Sequence, residues 1–570
     1  VSRIYRSGAS YVICRSKGQA DSMHTVTIVL MFLFAVVVSA FLARLLPIKI
    51  PLPLLQIAIG AALSWFGFPV VLDPHVFLLL FIPPLLFLDG WRIPKGAFFR
   101  DWKSILSLAI GLVIFTVIGM GFFVHWLVPA VPLAVAFALA AILSPTDPVA
   151  VSAITANSPV PSRLMHILEG ESLLNDATGL VCFSFAVAAA LTGTFTLGSA
   201  ATSFALVAGG GVAVGIGMSW MIGQLNRLLV SRTGEDPATQ ILISLLTPFV
   251  TYLAAEHLHV SGILAAAVAG IAMHYAELSG RVLAATRMQR RAVWDMVQTA
   301  LNGIIFVLLG EQLPGMLRTL PRVAEEAHVA NPWYLLGLIV AITVALGALR
   351  FLWVWVTMAL TVVWAKRRGR DRIMPDTRVL AITATAGVRG AITLAGILSL
   401  PLLMPDSSAF PARDLVIFLA MGVILLSLTI ASIGLPLLTR HIKEELMQPV
   451  SGGEEASARV AATEAAIRRL EAAAIEPTNA VNTNVRAEAM SRVLDVYRRR
   501  LDYGDRSGEH AGDIRLLAQA EQHLRLLALR AERDELYRLR LSHIIDDDVH
   551  VRLVREIDLL EESLVGMPGH

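Results

Sequence analysis

Apolar stretches of roughly 20 residues recur about thirteen times before residue 440, each long enough to cross a hydrocarbon layer of about 30 Å as a helix. They lie near 24–46, 51–70, 75–90, 104–128, 131–156, 164–192, 200–224, 238–256, 260–276, 293–313, 333–363, 378–404 and 413–438. Such a chain has few folding options, because backbone N–H and C=O groups facing lipid must be hydrogen-bonded within the protein. Hydrophobic residues make up 56% of the chain and charged residues only 16%, which sets aside a water-soluble globular domain. The sequence predicts an all-α polytopic membrane protein.

Lysine and arginine in the connections give an orientation. One alternating set of loops carries Arg44 and Lys49; Arg92, Lys95, Arg100 and Lys103; Arg163; Arg227 and Arg232; Arg281, Arg287, Arg290 and Arg291; and Lys366 to Arg372. The other set holds Arg318, Arg322 and Arg413. The first set is therefore expected in the cytoplasm, with the N-terminus outside and the C-terminus inside. Residues 1–22 carry Arg3, Arg6, Arg15 and Lys17 against this bias and lack the continuous apolar core of a signal peptide; they read as a non-native or disordered extension ahead of Met23. The net charge of +3 is too unevenly placed to indicate a nucleic-acid partner. Cys14 and Cys182, one in the terminal stretch and one in an apolar span, give no disulfide framework.

Beyond residue 440 the composition shifts to Ala, Leu, Arg and Glu with helical periodicity. The expected division is 23–440 as the membrane domain and 441–570 as a cytoplasmic helical domain, read as a solvated bundle or dimerisation element.

Ionisable groups inside the spans carry the functional signal, since each is costly in hydrocarbon unless paired or hydrated. In "SPTDPVAV", Pro145 and Pro148 flank Thr146 and Asp147. Both prolines lack an amide donor and break the helical ladder, freeing carbonyls beside a carboxylate, which is a set of ligands for a hard cation. A simple proline kink capped by Asp147 is the alternative. In "EGESLLNDATGLV", Glu171 and Asn175 are four residues apart, as are Ser172 and Asp176, so each pair stacks on one helix face and the two faces adjoin. Ser172 and Asp176 present two oxygens to one point. In "GVRGAITLAG", Gly387 and Gly390 flank Arg389 and predict a second interruption. Arg350 sits alone in a long apolar stretch and needs an anion, for which Glu171 is the best candidate. Glu311, near an outer span end, reads as a snorkelling or capping residue.

The interruptions fall in the fifth and twelfth stretches. A separation of seven is odd, so equivalent positions enter the membrane from opposite sides, as in an inverted repeat of spans one to six on eight to thirteen. Paired broken helices meeting at mid-membrane mark the binding sites of secondary transporters. Asp147 and Arg389 are placed to compensate the partial charges of the half-helix ends.

These three strings, in this order, resemble the sodium/proton exchangers of the cation:proton antiporter superfamily, in the electroneutral bacterial branch that carries an Asn-Asp pair. The resemblance covers about residues 24–440, and no motif departs from the pattern. It implies a homodimer in the bacterial plasma membrane, each subunit having a dimerisation domain and a core that moves like an elevator. It further implies that Asp176 carries the cation or proton, that Asp147, Ser172 and the Thr146 carbonyl complete the site, that Asn175 holds the helix geometry, and that Glu171 pairs with Arg350. Arg389 matches the arginine of the second crossing helix. No cofactor is implied; Na⁺ and H⁺ are cargo, and the ligand types serve Li⁺ and K⁺ equally.

A channel is the competing class, but two interrupted helices around one titratable pocket suit alternating access better than a continuous filter. Neither a zinc HExxH pair nor a nucleotide-binding GxxxxGK[ST] string occurs, and no Ser-His-Asp arrangement is plausibly placed, which disfavours an enzyme or an ATP-driven pump.

Overall fold

A computed structural model describes residues 27–47, 50–66, 74–93, 95–147, 151, 154, 162–193, 197–277, 284–326, 332–367, 377–439, 452–475, 488, 490–498, 511–542, 544 and 547–565. Every one of the apolar stretches is occupied by helix, because only helices satisfy the backbone over such lengths without neighbouring strands. In chain order they are α1 (Thr27–Leu45), α2 (Leu52–Trp65), α3 (Pro74–Arg92) and the short α4 (Lys95–Arg100). Next come α5 (Trp102–Leu127), which contains a π-turn at Ser107–Leu112, and α6 (Leu133–Leu143). Then follow α7 (Ser162–Thr192), α8 (Leu197–Thr233), α9 (Pro237–His257), α10 (Gly262–Glu277), α11 (Ala284–Glu326) and α12 (Pro332–Arg367). The set closes with α13 (Thr377–Thr385), α14 (Ala391–Leu398) and α15 (Arg413–Thr439). Among the described residues, the one β feature is an isolated bridge between Leu403 and Ala409. The 1–22 extension lies outside the described residues.

The helices form two packed groups. In one, α2 crosses α11, α3 crosses α10, and α8 and α9 flank α10. Both crossings have the same construction. Gly60 lies against the Val307 carbonyl and Gly310 against that of Ile57; Gly90 lies against the Ala267 carbonyl and Gly270 against that of Phe87. In each case a glycine meets the carbonyl three residues before the opposing glycine, at distances where a Cβ would collide with the backbone. Small residues of this kind let helix axes approach closely where lipid supplies no hydrophobic drive. The pair of second and tenth spans maps onto the pair of ninth and third under the repeat of one-to-six on eight-to-thirteen.

In the second group α6 is enclosed by α5, α7, α14 and α15. From Val135 to Leu143 its buried side chains are completely covered and form the centre of the largest apolar cluster. The groups meet where Ile57, Phe306 and Leu309 pack on Leu168, Ile382, Val388 and Leu394. A second contact brings Phe81, Ile82 and Leu308 against Leu173 and Ala395. This seam runs past both interruptions.

The chain divides into compact units at 1–447 and 448–570. Within the second, α16 (Gly452–Ile475) and a helical piece at 490–498 precede α17 (Ala511–Leu541) and α18 (Asp547–Val565). The last two pack as a pair, burying Leu529 and Ile557, and Arg533 bridges Asp558 at 2.6 Å and Glu561 at 2.5 Å.

Candidate ion-binding site

Both interruptions exist, and they touch. Helix α6 stops at Leu143, and residues 144–147 are not helical. Helix α13 stops at Thr385, and residues 387–390 are likewise irregular before α14. The Asp147 amide donates to the Val388 carbonyl at 2.8 Å, joining the two breaks backbone to backbone. Arg389 donates from Nε to the Leu143 carbonyl at 2.6 Å and also bonds the Gly387 carbonyl. A guanidinium thus caps the C-terminal end of α6, where carbonyls lack helical partners and the dipole is negative. In return, the Asp147 carboxylate lies against Gly390, which opens α14; a Cβ there would fall 1.8 Å from Asp147 Oδ2. Only glycine permits this approach, and it places negative charge at a helix N-terminus.

The neighbouring helix α7 supplies the rest. Ser172 Oγ donates to the Thr146 carbonyl at 2.7 Å, and Asn175 Nδ2 donates to Thr146 Oγ1 at 3.0 Å. Thr146 Oγ1 in turn lies 3.4 Å from Glu171 Oε1. Helix α7 can come this near because Gly179 faces the Pro145 ring, with room for no Cβ. Arg350 donates to both Glu171 carboxylate oxygens, at 2.5 and 2.7 Å, and from Nε to the Thr383 carbonyl at 2.9 Å. One arginine therefore ties α7, α12 and the end of α13 together. The two side chains of this ion pair are 1% and 3% exposed, so neither charge has water as an alternative partner.

Asp176 lies one turn beyond Ser172 and is 5% exposed. Asp147, Asp89 and Glu171 are its electrostatic neighbours. Asn175 Oδ1 is buried and accepts no hydrogen bond among the described residues. Carboxylate, hydroxyl and carbonyl oxygens, the donor types that hard cations prefer, are thus carried by α7 and the first break. Sequence reasoning passed over Asp89. It lies near the C-terminal end of α3 and is electrostatically coupled to Asp147, Glu169 and Arg92. Its sequence signal is an acid inside an apolar stretch, "FLDGWR", beside the loop cations Arg92 and Lys95.

Three charged side chains near span ends are buried rather than water-facing. Lys95, in the connection after α3, is 6% exposed and donates to the Gly90 and Trp91 carbonyls at 2.8 and 2.7 Å, capping α3. Arg290 is buried with its guanidinium 5.8 Å from the Trp91 ring. Glu311 does not snorkel: it is 3% exposed, within 3.4 Å of Ser64 Oγ, and accepts from Gln312 Nε2 at 2.7 Å. In each case a neighbouring helix covers a position that hydropathy alone places at a water boundary.

Comparison with known proteins agrees with this architecture. Residues 29–441 match the family model described as "Sodium/hydrogen exchanger, transmembrane". The chain is 44% identical over 548 residues to the "Uncharacterized Na(+)/H(+) exchanger YjcE" of Escherichia coli (strain K12), covering 94% of this chain and 98% of that one. It is 37% identical over 538 residues to a "Sodium, potassium, lithium and rubidium/H(+) antiporter" of Bacillus pumilus, covering 94% and 77%. In fold it is similar to the sodium proton antiporter MjNhaP1 of Methanocaldococcus jannaschii, with a TM-score of 0.56 at 17% identity, covering 74% of this chain and 100% of that one. With sequence motifs, crossed breaks and relatives in accord, the chain belongs to the sodium/hydrogen exchanger family of multi-pass membrane transporters.

Proposed function

We propose that the protein exchanges Na⁺ for H⁺ across the bacterial plasma membrane, one for one, at a site built on Asp176. The observation that supports the reading is a buried Asp176 one helical turn from Ser172, whose hydroxyl bonds the Thr146 carbonyl in the first break. A cation binds the ionised Asp176 carboxylate, and a proton neutralises it; one group cannot hold both, so the two ligands compete and their movements are coupled. Asp147 stays a fixed countercharge to α14, Arg389 to α6, and Asn175, which cannot titrate, carries no second proton. The cycle is then electroneutral, driven by the pH gradient and not by membrane voltage.

The apolar seam between the two helix groups is read as the surface along which one group moves against the other, an elevator-type alternating access within a homodimer. Loop lysines and arginines favour an outer N-terminus and a cytoplasmic C-terminus. The segment 441–570 acts as an accessory cytoplasmic domain. The name of the Bacillus pumilus relative extends the candidate cations to K⁺, Li⁺ and Rb⁺.

The test is exchange in everted vesicles and proteoliposomes. Asp176→Asn abolishes exchange with folding intact, and lower pH raises the apparent KM of the wild type for sodium. Sodium-dependent current that scales with voltage at zero pH gradient would overturn the one-for-one account. Ungated passive sodium flux without proton movement would instead point to a channel.

A further inference from the structure

Three residues past Arg350, one helical turn along α12, stands Trp353. Its ring occupies the space in front of Gly111 in α5, where a Cβ would lie 2.5 Å from Cζ2. Its indole Nε1 donates to the Ser107 carbonyl at 3.2 Å. Phe115 packs beside it with ring centroids 5.2 Å apart. Ser107 and Gly111 both belong to the π-turn of Ser107–Leu112. Such wide turns perturb the regular i→i−4 ladder and recur at functional positions. A tryptophan inside a membrane protein needs an acceptor for its N–H, and here the π-turn supplies one.

The other side of α5 bears on Glu171. Ile105, two residues before the π-turn, packs onto Gly170, at a distance that leaves no room for a Cβ. Leu108 and Leu112 of the π-turn form a buried cluster with Val354 and Leu380, with Trp353 against its edge. The same short segment of α5 therefore fixes the residue next to Glu171 and, through Trp353, the helix that carries Arg350. Glu171 lies beside Thr146, whose carbonyl faces Ser172.

We propose that Trp353 is a positioning residue for the cation site: its indole keys α12 into the π-turn of α5, and this sets where the Arg350–Glu171 pair holds Thr146. The inference rests on the reading of Asp176, Ser172 and Thr146 as the sodium site. Loss of the key lets α12 shift, moves the Thr146 carbonyl relative to Ser172 and weakens cation binding while leaving the titrating carboxylate untouched. Glycine at 111 and tryptophan at 353 are two halves of one fitted contact.

The test uses the full-length protein at fixed pH with two readouts: half-saturating sodium for exchange in proteoliposomes, and the sodium concentration for half-maximal thermal stabilisation in detergent. Trp353→Phe keeps an aromatic ring and removes the N–H; Gly111→Ala keeps the N–H and displaces the ring. Each raises both sodium midpoints about tenfold, the lower end of what outer-shell partners of metal ligands contribute, with the maximal rate per folded molecule little changed. Trp355→Phe, at a 47% exposed position on the same helix, leaves both midpoints at the wild-type value. Unchanged midpoints in the folded fraction of Trp353→Phe and Gly111→Ala overturn the proposal, including the case in which only yield falls. If Trp353→Phe yields no folded protein, Gly111→Ala decides. A wild type that shows neither sodium-dependent stabilisation nor exchange sinks the sodium reading itself, a result distinct from failure of the key.

Discussion

Arginine bridges carboxylates in both units of this chain, with opposite consequences. Arg350 and Glu171 are almost wholly shielded, and Arg350 also holds the Thr383 carbonyl. Arg533 reaches Asp558 and Glu561 at similar distances, yet 35% of its side chain is open to water, as is 57% of Asp558. Distance is the same; the alternative partner is not. In the tail each charge returns to water when its partner leaves, whereas at membrane depth the remaining charge is stranded. A short contact is therefore a poor guide to importance until burial is known.

Removing Arg350 should produce the largest effect in this comparison. Arg350→Ala strands the Glu171 carboxylate and frees the end of α13, at a cost of about 3–5 kcal/mol. Thermal unfolding in detergent measures it. An Arg350→Ala protein of wild-type thermal stability that has lost transport would show that the pair acts on the ion and not on the fold. Replacing both partners, Glu171→Leu with Arg350→Met, should recover much of the lost stability because no charge is left buried. It should not recover exchange, since Thr146 loses the neighbouring carboxylate.

Arg533→Ala comes next and should be small. Its guanidinium is held above its ordinary pKa by hydrogen bonds to Glu561 and Asp558, but solvent screens the pair. Helix content of the tail by circular dichroism should be retained, and raising salt from 0.1 to about 1 M should shrink any difference from wild type. Collapse of the α17–α18 pair in this variant would mean the bridge matters more than its exposure allows.

The smallest effect belongs to Asp236, which caps α9 outside the membrane spans. It accepts from the Thr239 amide at 2.9 Å and from the Thr239 hydroxyl at 2.6 Å, and these bonds, the side-chain one foremost, hold its carboxyl below the usual range. A depressed folded pKa contributes stability that is present above the unfolded value, about 3.9, and is lost as pH falls through the folded value. Asp236→Ala should therefore lower stability slightly at neutral pH, with the difference from wild type vanishing once the pH lies well below the folded pKa. A difference that persists there would assign the effect to packing.

Much of the membrane unit was legible in the residues. Length and polarity of the apolar stretches give helices, because lipid forbids unpaired backbone. Pro145 and the Gly387–Gly390 pair mark the two breaks by local chemistry. Arg350 and Glu171 could be matched across 179 residues because each was an unusual charge needing an opposite one. Asp89, Lys95, Arg290 and Glu311 were not legible in the same way. Each lies close enough to a water boundary for hydropathy to assign it there, and only the covering helix shows otherwise. Trp353 carried no signal at all, since tryptophan in an apolar helix is ordinary.

What the sequence by itself determined is the set of constraints that act along the chain: helix against strand, where a helix must break, and which charges cannot stand alone. These follow from backbone hydrogen bonding and solvation, which depend on a residue and its near neighbours. Only the tertiary structure decided the constraints that act across it. Arg389 caps α6 through Leu143, Asp147 sits where Gly390 leaves room, and Trp353 fills the place before Gly111. Such contacts depend on how closely two helices approach, to within a few tenths of an ångström. That distance is fixed by the packing of the whole bundle and is written at no single position.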